Sequence, residues 1–330
     1  MTERRRSFVH HEGVYRDRVH GRLLVYLDNN VWIDLVEGRT DEARACRAAC
    51  EEAVDSGVVL FPLTGAGIEE LLDQPKEARP ERQADLMDRL SRLVCFRAAR
   101  HVWDHEARGT VDVYPVRGAV LPDRRRLFTY VIEYISDGQL VFQPEWQSQH
   151  IPEFMELVQR SVGNDVGVRW MLDHLPIDEM RARHQDAGRR YVREMQASID
   201  GAAKELRRGG KLSSDRALRH ERLWAFREYV QPAVRAEATE RYGDRGALDF
   251  FREGREVFGD GSAERLGALM LSMPSLDMMC ELMAHRTMNP HRRVRREDML
   301  DNEHAMVAPA YCDAFVTNDG NLYDLLSQRC

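Results

Sequence analysis

The chain has 330 residues, 43% hydrophobic and 31% charged, with a net charge of −7, so it can build a sizeable core and is neither disordered nor basic overall. Nucleic acid, if bound, must therefore meet a local patch. No stretch approaches the roughly 20 apolar residues of a membrane helix. MTERRRSFVHHEG lacks a signal peptide's apolar core, and the six cysteines form no CxxC pair, so a reducing cytoplasm without disulfides or structural zinc is expected.

Residues 23–28, LLVYLD, read as a buried strand that stops on an acid. A buried acid without a partner is costly, so Asp28 either ends the strand or is held for a purpose. Residues 31–36 open a helix, and 41–55 continue as one, rich in Ala and Glu/Arg pairs. A second apolar run, Val58 to Pro62, leads into a Thr64-Gly65-Ala66-Gly67 turn and then a helix from Ile68. Residues 81–95 are again helical. Strand, helix, strand, helix is the opening of an α/β sandwich with a parallel sheet.

From about residue 100 to 290 the grammar changes to long amphipathic segments, with helical spacing over 151–162, 176–208, 214–241 and 247–258. Gly209-Gly210 and Gly259-Asp260-Gly261 mark loops. Residues 181–222 hold twelve basic against six acidic residues, a local net charge of +6 in an acidic protein. The end returns to α/β grammar: a helix over 297–312 interrupted by Pro309, a short buried strand at 314–317, a turn at 318–320 and a last helix from Leu322.

Four acids can share one place in such a fold. Asp28 closes the first strand and Asp319 follows the last, which puts both at the carboxyl edge of a parallel sheet. Glu70 lies in the helix after the second strand, with Glu69 as the alternative register. Asp301 lies in the helix before the last strand, with Asp298 as its alternative three residues earlier. Converging carboxylates repel unless a cation neutralises them, and oxygen-rich sites suit Mg²⁺ or Mn²⁺. Such a centre activates water and holds a phosphodiester for in-line attack. His304, one turn from Asp301, is a candidate to touch the site or substrate, and Arg292, Arg293, Arg295 and Arg296 precede Asp301 as candidate phosphate contacts. His101 and His105 have zinc-binding spacing on a helix but no evident third ligand.

YLDNNVWIDL resembles the opening motif of the PIN-domain ribonuclease family, with Asp28 and Asn30 matching and Asn29 replacing the usual Thr or Ser. LTGAGIEELL is similar to the second motif, a hydroxyl residue followed six positions later by Glu, here Thr64 and Glu70. DNEHAMVAPAYCDAFVTND is similar to the closing motif, in which Asp301 precedes the Asp319 of Thr317-Asn318-Asp319 by eighteen residues. The resemblance implies a PIN-like α/β/α sandwich with a parallel sheet, built from residues 22–95 and 295–330, around a large, mostly α-helical insertion over 100–290. It implies metal-dependent cleavage of RNA, with Asp28, Glu70, Asp301 and Asp319 binding one or two ions and Asn30, Thr317 and Asn318 orienting them.

The expected function is a Mg²⁺- or Mn²⁺-dependent endoribonuclease of a toxin- or defence-like kind, cytoplasmic, with no membrane partner. Its insertion would grip substrate, form a homodimer or meet a regulatory protein. The competing reading is a PIN-like scaffold of weak or no activity whose insertion binds a partner protein. A phosphatase of the haloacid dehalogenase type is set aside, because Asn30 stands where that chemistry needs a second Asp.

Overall fold

The computed structural model describes residues 15–74, 80–113, 127–131, 167–174, 177–208, 213–253, 263–289, 293–295, 297–320, 323 and 326. It is mostly helical, with a small parallel sheet. Strand β1 (Leu23–Leu27) is followed by α1 (Asn29–Glu37), α2 (Asp41–Asp55), β2 (Val59–Leu60), α3 (Gly65–Asp73) and α4 (Pro80–Ser91). Then come β3 (Val94–Phe96), α5 (Ala99–Val113), β4 (Phe128–Tyr130), α6 (Val168–His174) and α7 (Ile177–Arg208). The chain continues through α8 (Ser214–Ala225), α9 (Gln231–Glu253), α10 (Ala263–Met270), α11 (Pro274–Met288), α12 (Glu297–Tyr311) and β5 (Ala314–Val316). Among the described residues no helix is long and apolar enough to cross a membrane. Cys46, Cys50, Cys95, Cys280 and Cys312 are free thiols.

Two compact units divide the chain: residues 1–98, 124–190 and 299–330, and residues 99–123 and 191–298. Residues 124–190 thus group with the sheet, although the sequence pattern places all of 100–290 in one insertion.

In the sheet unit the strand order is β2-β1-β5, all parallel, with Leu24 opposite Leu60 and Leu27 opposite Val316. A bridge between Leu63 and Cys95 attaches β3, which pairs antiparallel with β4. The core beneath includes Leu27, Trp32, Leu71, Met87 and Leu90. Strand β1 ends where Asp28 begins capping α1. Asp28 accepts the Asn29 N–H, Thr40 caps α2, and Thr64 accepts from Gly67 N at 3.1 Å.

Thr64 corrects one expectation. Thr64-Gly65-Ala66-Gly67 is not a turn ahead of a helix at Ile68, because the Thr64 cap starts α3 at Gly65. The helix expected over 81–95 ends at Ser91, where Arg92 and Leu93 take φ of 52° and 65° and turn the chain into β3. Pro309 does not interrupt α12, which runs to Tyr311. Residues 151–162, Gly209-Gly210 and 259–261 lie outside the described residues. Helix α6 is capped across the unit by Asp88, whose carboxylate accepts from Val168 N and Arg169 N at 2.7 and 2.8 Å. A Cβ at Gly167 would lie 2.3 Å from that carboxylate, so this approach needs glycine.

The second unit packs α8 against α11. The Glu106 carboxylate accepts from Ser275 N and Leu276 N at 2.9 and 3.1 Å, capping α11 in the interior. Arg222 forms a two-pronged pair with buried Asp277 at 2.8 and 3.0 Å. Nearby on α8, burial pushes the Glu221 carboxyl up to about 7 from the ordinary 4.5, with Thr287 offsetting only part of the rise. Folding therefore favours the protonated acid: stability falls as pH rises from about 4.5 to 7 and is level above. Glu221→Gln is expected to exceed the parent in stability by about 2 kcal/mol above pH 7. Thermal melts at pH 5 and pH 8 check this, since the gain must be larger at pH 8.

Candidate metal centre

The parallel pairing of β1 with β5 brings two chain segments to one sheet edge. Asp28 N donates to Val316 O at 3.0 Å, so Asp28 and Thr317 leave the sheet side by side. Thr317 Oγ1 donates to Asp28 Oδ2 at 2.8 Å and accepts from Asp319 N at 2.9 Å. Asp28 Oδ1 accepts from Asn29 N at 2.7 Å. Both carboxylate oxygens are thus held in place, and the side chain is buried.

Helix α3 supplies Glu70 and helix α12 supplies His304. Ligand atoms of Asp28, Glu70 and His304 all lie within 4.8 Å of one another, and this is the one such metal-competent group among the described residues. His304 Nε2 is 3.3 Å from Glu70 Oε2, an ion-pair contact. Both atoms are buried, and beyond this contact neither has a hydrogen-bond partner. Orphaned buried polar atoms are rare and need an explanation. Two carboxylates and one imidazole form a donor set that a divalent cation satisfies, so the residues fit a metal.

The electrostatics agree. Burial lifts the Asp28 carboxyl above its usual range and Glu70 adds to the rise, while Thr317, His304 and Asn29 pull against it. Burial alone would lower the His304 pKa, but the Glu70 and Asp28 carboxylates outweigh it and the net shift is upward. Both signs describe negative charge crowded into a dry place.

His304 is oriented from its other side. Nδ1 contacts Tyr26 Oη and lies 3.2 Å from Thr64 Oγ1, and the two hydroxyls are 2.9 Å apart. Burial holds the Tyr26 phenol well above its ordinary pKa, so it stays neutral.

Of the four acids expected at the edge, the structure brings Asp28 and Glu70 into the compact group and leaves Asp301 and Asp319 outside it. Asp301 lies one turn before His304 on α12, about 4.5 Å back along the axis, and the longer imidazole takes its place. Asp319 offers its main-chain N–H to Thr317. Glu69 does not join the group. Asp298 serves elsewhere, pairing with Arg286 at 2.9 Å and accepting from Arg295 N at 2.8 Å. Asn30 is exposed on α1, and Asn318 donates to Asp34 Oδ2 at 2.6 Å. Asn29 accepts from buried Gln83 at 2.7 Å and so braces α1 against α4. Of the four arginines, Arg293 is exposed and 3.7 Å from Asp200, Arg295 is exposed, and Arg292 and Arg296 lie outside the described residues.

His304, expected near the site or substrate, stands in the compact group itself, and its contact with Tyr26 is what the sequence reading missed. One signal was available: Tyr26 is two residues before Asp28, and strand periodicity puts both on one face. In the helical unit, Asp200, Ala203, Lys204, Arg207 and Arg208 line a cavity of about 500 Å³, a basic surface within the +6 segment. No family model, curated protein or solved structure matches this chain.

Proposed function

We propose that this chain is a divalent-metal-dependent endoribonuclease of PIN-like type, which hydrolyses RNA phosphodiester bonds at the carboxyl edge of its sheet. The observation that carries the reading is the convergence of Asp28, Glu70 and His304, with two buried ligand atoms lacking hydrogen bonds. A bound cation there supplies charge stabilisation and water activation for phosphodiester hydrolysis. The protein's part is placement. Thr317 and the Asn29 N–H hold the Asp28 oxygens, Glu70 adds the second carboxylate, and His304 adds a nitrogen from α12. Asp301 and Asp319 come from the segments that carry His304 and Thr317, and would act on a second ion or on substrate. Lys204, Arg207 and Arg208 offer charge for an RNA backbone. The choice of RNA over DNA rests on the resemblance of the three motifs.

A second reading has one observation in its favour. His304 is wholly buried and Asp28 is 4% exposed, an enclosure that suits a structural centre as well as a catalytic one. The chain would then be a scaffold, with residues 99–123 and 191–298 meeting a partner protein. Labelled RNA and DNA oligonucleotides incubated with Mg²⁺, Mn²⁺ or EDTA separate the two. Cutting of RNA that needs metal and is lost in Glu70→Gln supports the nuclease. Absence of cutting with every ion overturns it in favour of the scaffold.

A further inference from the structure

The geometry points to a mixed carboxylate–imidazole centre that selects a first-row transition ion, Zn²⁺ or Mn²⁺, over Mg²⁺, with Tyr26 and Thr64 as positioning residues that set the His304 tautomer. It rests on the reading of Asp28, Glu70 and His304 as ligands and goes beyond it by naming the ion and the residues that choose it.

The first argument is donor chemistry. Mg²⁺ takes oxygen ligands in near-ideal octahedral geometry and gives up its waters reluctantly. An imidazole nitrogen suits Zn²⁺ and its neighbours, and affinity for a mixed nitrogen–oxygen site rises from Mn²⁺ toward Zn²⁺. Four carboxylates at this edge would favour Mg²⁺. The compact group has only two carboxylates beside a buried imidazole, which moves the preference. His304 is 0% exposed, so its nitrogen cannot swing out and leave an all-oxygen site behind.

The second argument is orientation. A ligating histidine needs one ring nitrogen stripped of its proton and the other donating to a fixed acceptor. The ring sits between two unlike environments. Nδ1 faces the Tyr26 and Thr64 hydroxyls, while Nε2 faces Glu70 at 3.3 Å and has no hydrogen-bond partner. Hydroxyls can accept from Nδ1–H. Carboxylates offer Nε2 no proton to accept while they are ionised. With a cation in place of a proton on Nε2, the chain of donors runs from Nδ1–H to Tyr26 Oη, then from the Tyr26 hydroxyl to Thr64 Oγ1 at 2.9 Å. Thr64 is itself anchored, because Oγ1 accepts from Gly67 N in the first turn of α3. Tyr26 is anchored by stacking on Phe315, with ring centroids 5.2 Å apart. This tautomer leaves the Nε2 lone pair aimed at the two carboxylates, where a cation accepts it.

The test is isothermal titration calorimetry of the full chain, stripped by chelation, with Zn²⁺, Mn²⁺ and Mg²⁺ added separately. Zn²⁺ is expected to bind tightest and Mg²⁺ at least about tenfold more weakly than Mn²⁺. Tyr26→Phe keeps the ring and its stack. It is expected to weaken Zn²⁺ and Mn²⁺ by about 10- to 100-fold and to leave Mg²⁺ unchanged. Pulsed electron paramagnetic resonance of the Mn²⁺ form should show one imidazole nitrogen coupling, lost in His304→Asn. Circular dichroism reports whether that variant folds; the Tyr26→Phe comparison stands without it. Mg²⁺ binding as tightly as Mn²⁺, equal weakening of both by Tyr26→Phe, or no nitrogen coupling would overturn the assignment. Failure of every ion to bind would also overturn it, leaving a proton on His304 to hold the cluster. Tight nitrogen-coordinated ions with no cleavage would sink the nuclease reading and leave this one standing. Cleavage supported equally by Mg²⁺, with no nitrogen coupling, would do the reverse.

Discussion

Asp28→Asn is expected to lower metal-dependent cleavage by about 10³-fold or more while leaving stability in EDTA unchanged or slightly raised. The two halves have one cause. Asp28 supplies one of only two carboxylates in the compact group, so the substitution removes half of the formal negative charge that faces the cation. The hydrogen bonds survive better than the charge. An Asn oxygen still accepts from the Asn29 N–H, and the Thr317 hydroxyl can accept from the new amide where it now donates. Burial already holds the Asp28 carboxyl above its usual pKa, so its ionised form is disfavoured by folding. That penalty grows as pH rises through the folded pKa, and a neutral isostere avoids it. Single-turnover cleavage of labelled RNA and a melt of the same sample in EDTA read both quantities. Retained cleavage in a folded variant would move the site away from β1.

Arg222→Ala is expected to destabilise the helical unit by about 3–5 kcal/mol. The guanidinium joins α8 to α11 through two bonds to an Asp277 side chain that is 2% exposed. Removing it takes both of these bonds from a buried carboxylate, which costs far more than the pair itself contributes. The double variant Arg222→Met with Asp277→Leu is therefore expected to recover most of the loss, because it removes both charges and refills the volume. Denaturant unfolding of the parent, the single and the double variants checks this. A double variant as unstable as the single one would show that shape, not uncompensated charge, dominates. This effect is independent of the metal centre, so EDTA should leave it unchanged.

Much of the frame was legible without coordinates, for local reasons. A five-residue apolar run ending in Asp28 has one good use, a buried parallel strand whose end polar groups cap the next helix. Ala314–Val316 also pairs parallel, though Ala314 and Val316 are exposed where a buried strand was expected, and the two strands side by side put Asp28 and Thr317 at one edge. Residues 41–55 are helical as expected, but Gly38 at φ 54° ends α1 and Thr40 caps a separate α2 where one continuing helix was expected. Hydroxyl caps, acids after strands and helix stripes depend on neighbours a few positions away.

The choice among acids depends on neighbours far along the chain. Glu69 and Glu70 differ by one helical step of 100°, and only the packing of α3 beside β1 decides which of them turns toward Asp28. Asp298, Asp301 and His304 repeat at three-residue intervals on one helix, so spacing alone cannot rank them. Burial settles the order. Asp298 has Arg286 to neutralise it, His304 lies against Tyr26 and Thr64, and Asp301 stays partly exposed between them. The cap on α3 and the strand at Val94–Phe96 were hidden for the same reason. A threonine before two glycines reads as a turn until Gly67 N is seen to need an acceptor, and Cys95 becomes strand only because Leu63 lies beside it. Local chemistry, written in order, determined where the edge is. Long-range packing, which sets depth and rotation, decided which side chains meet there.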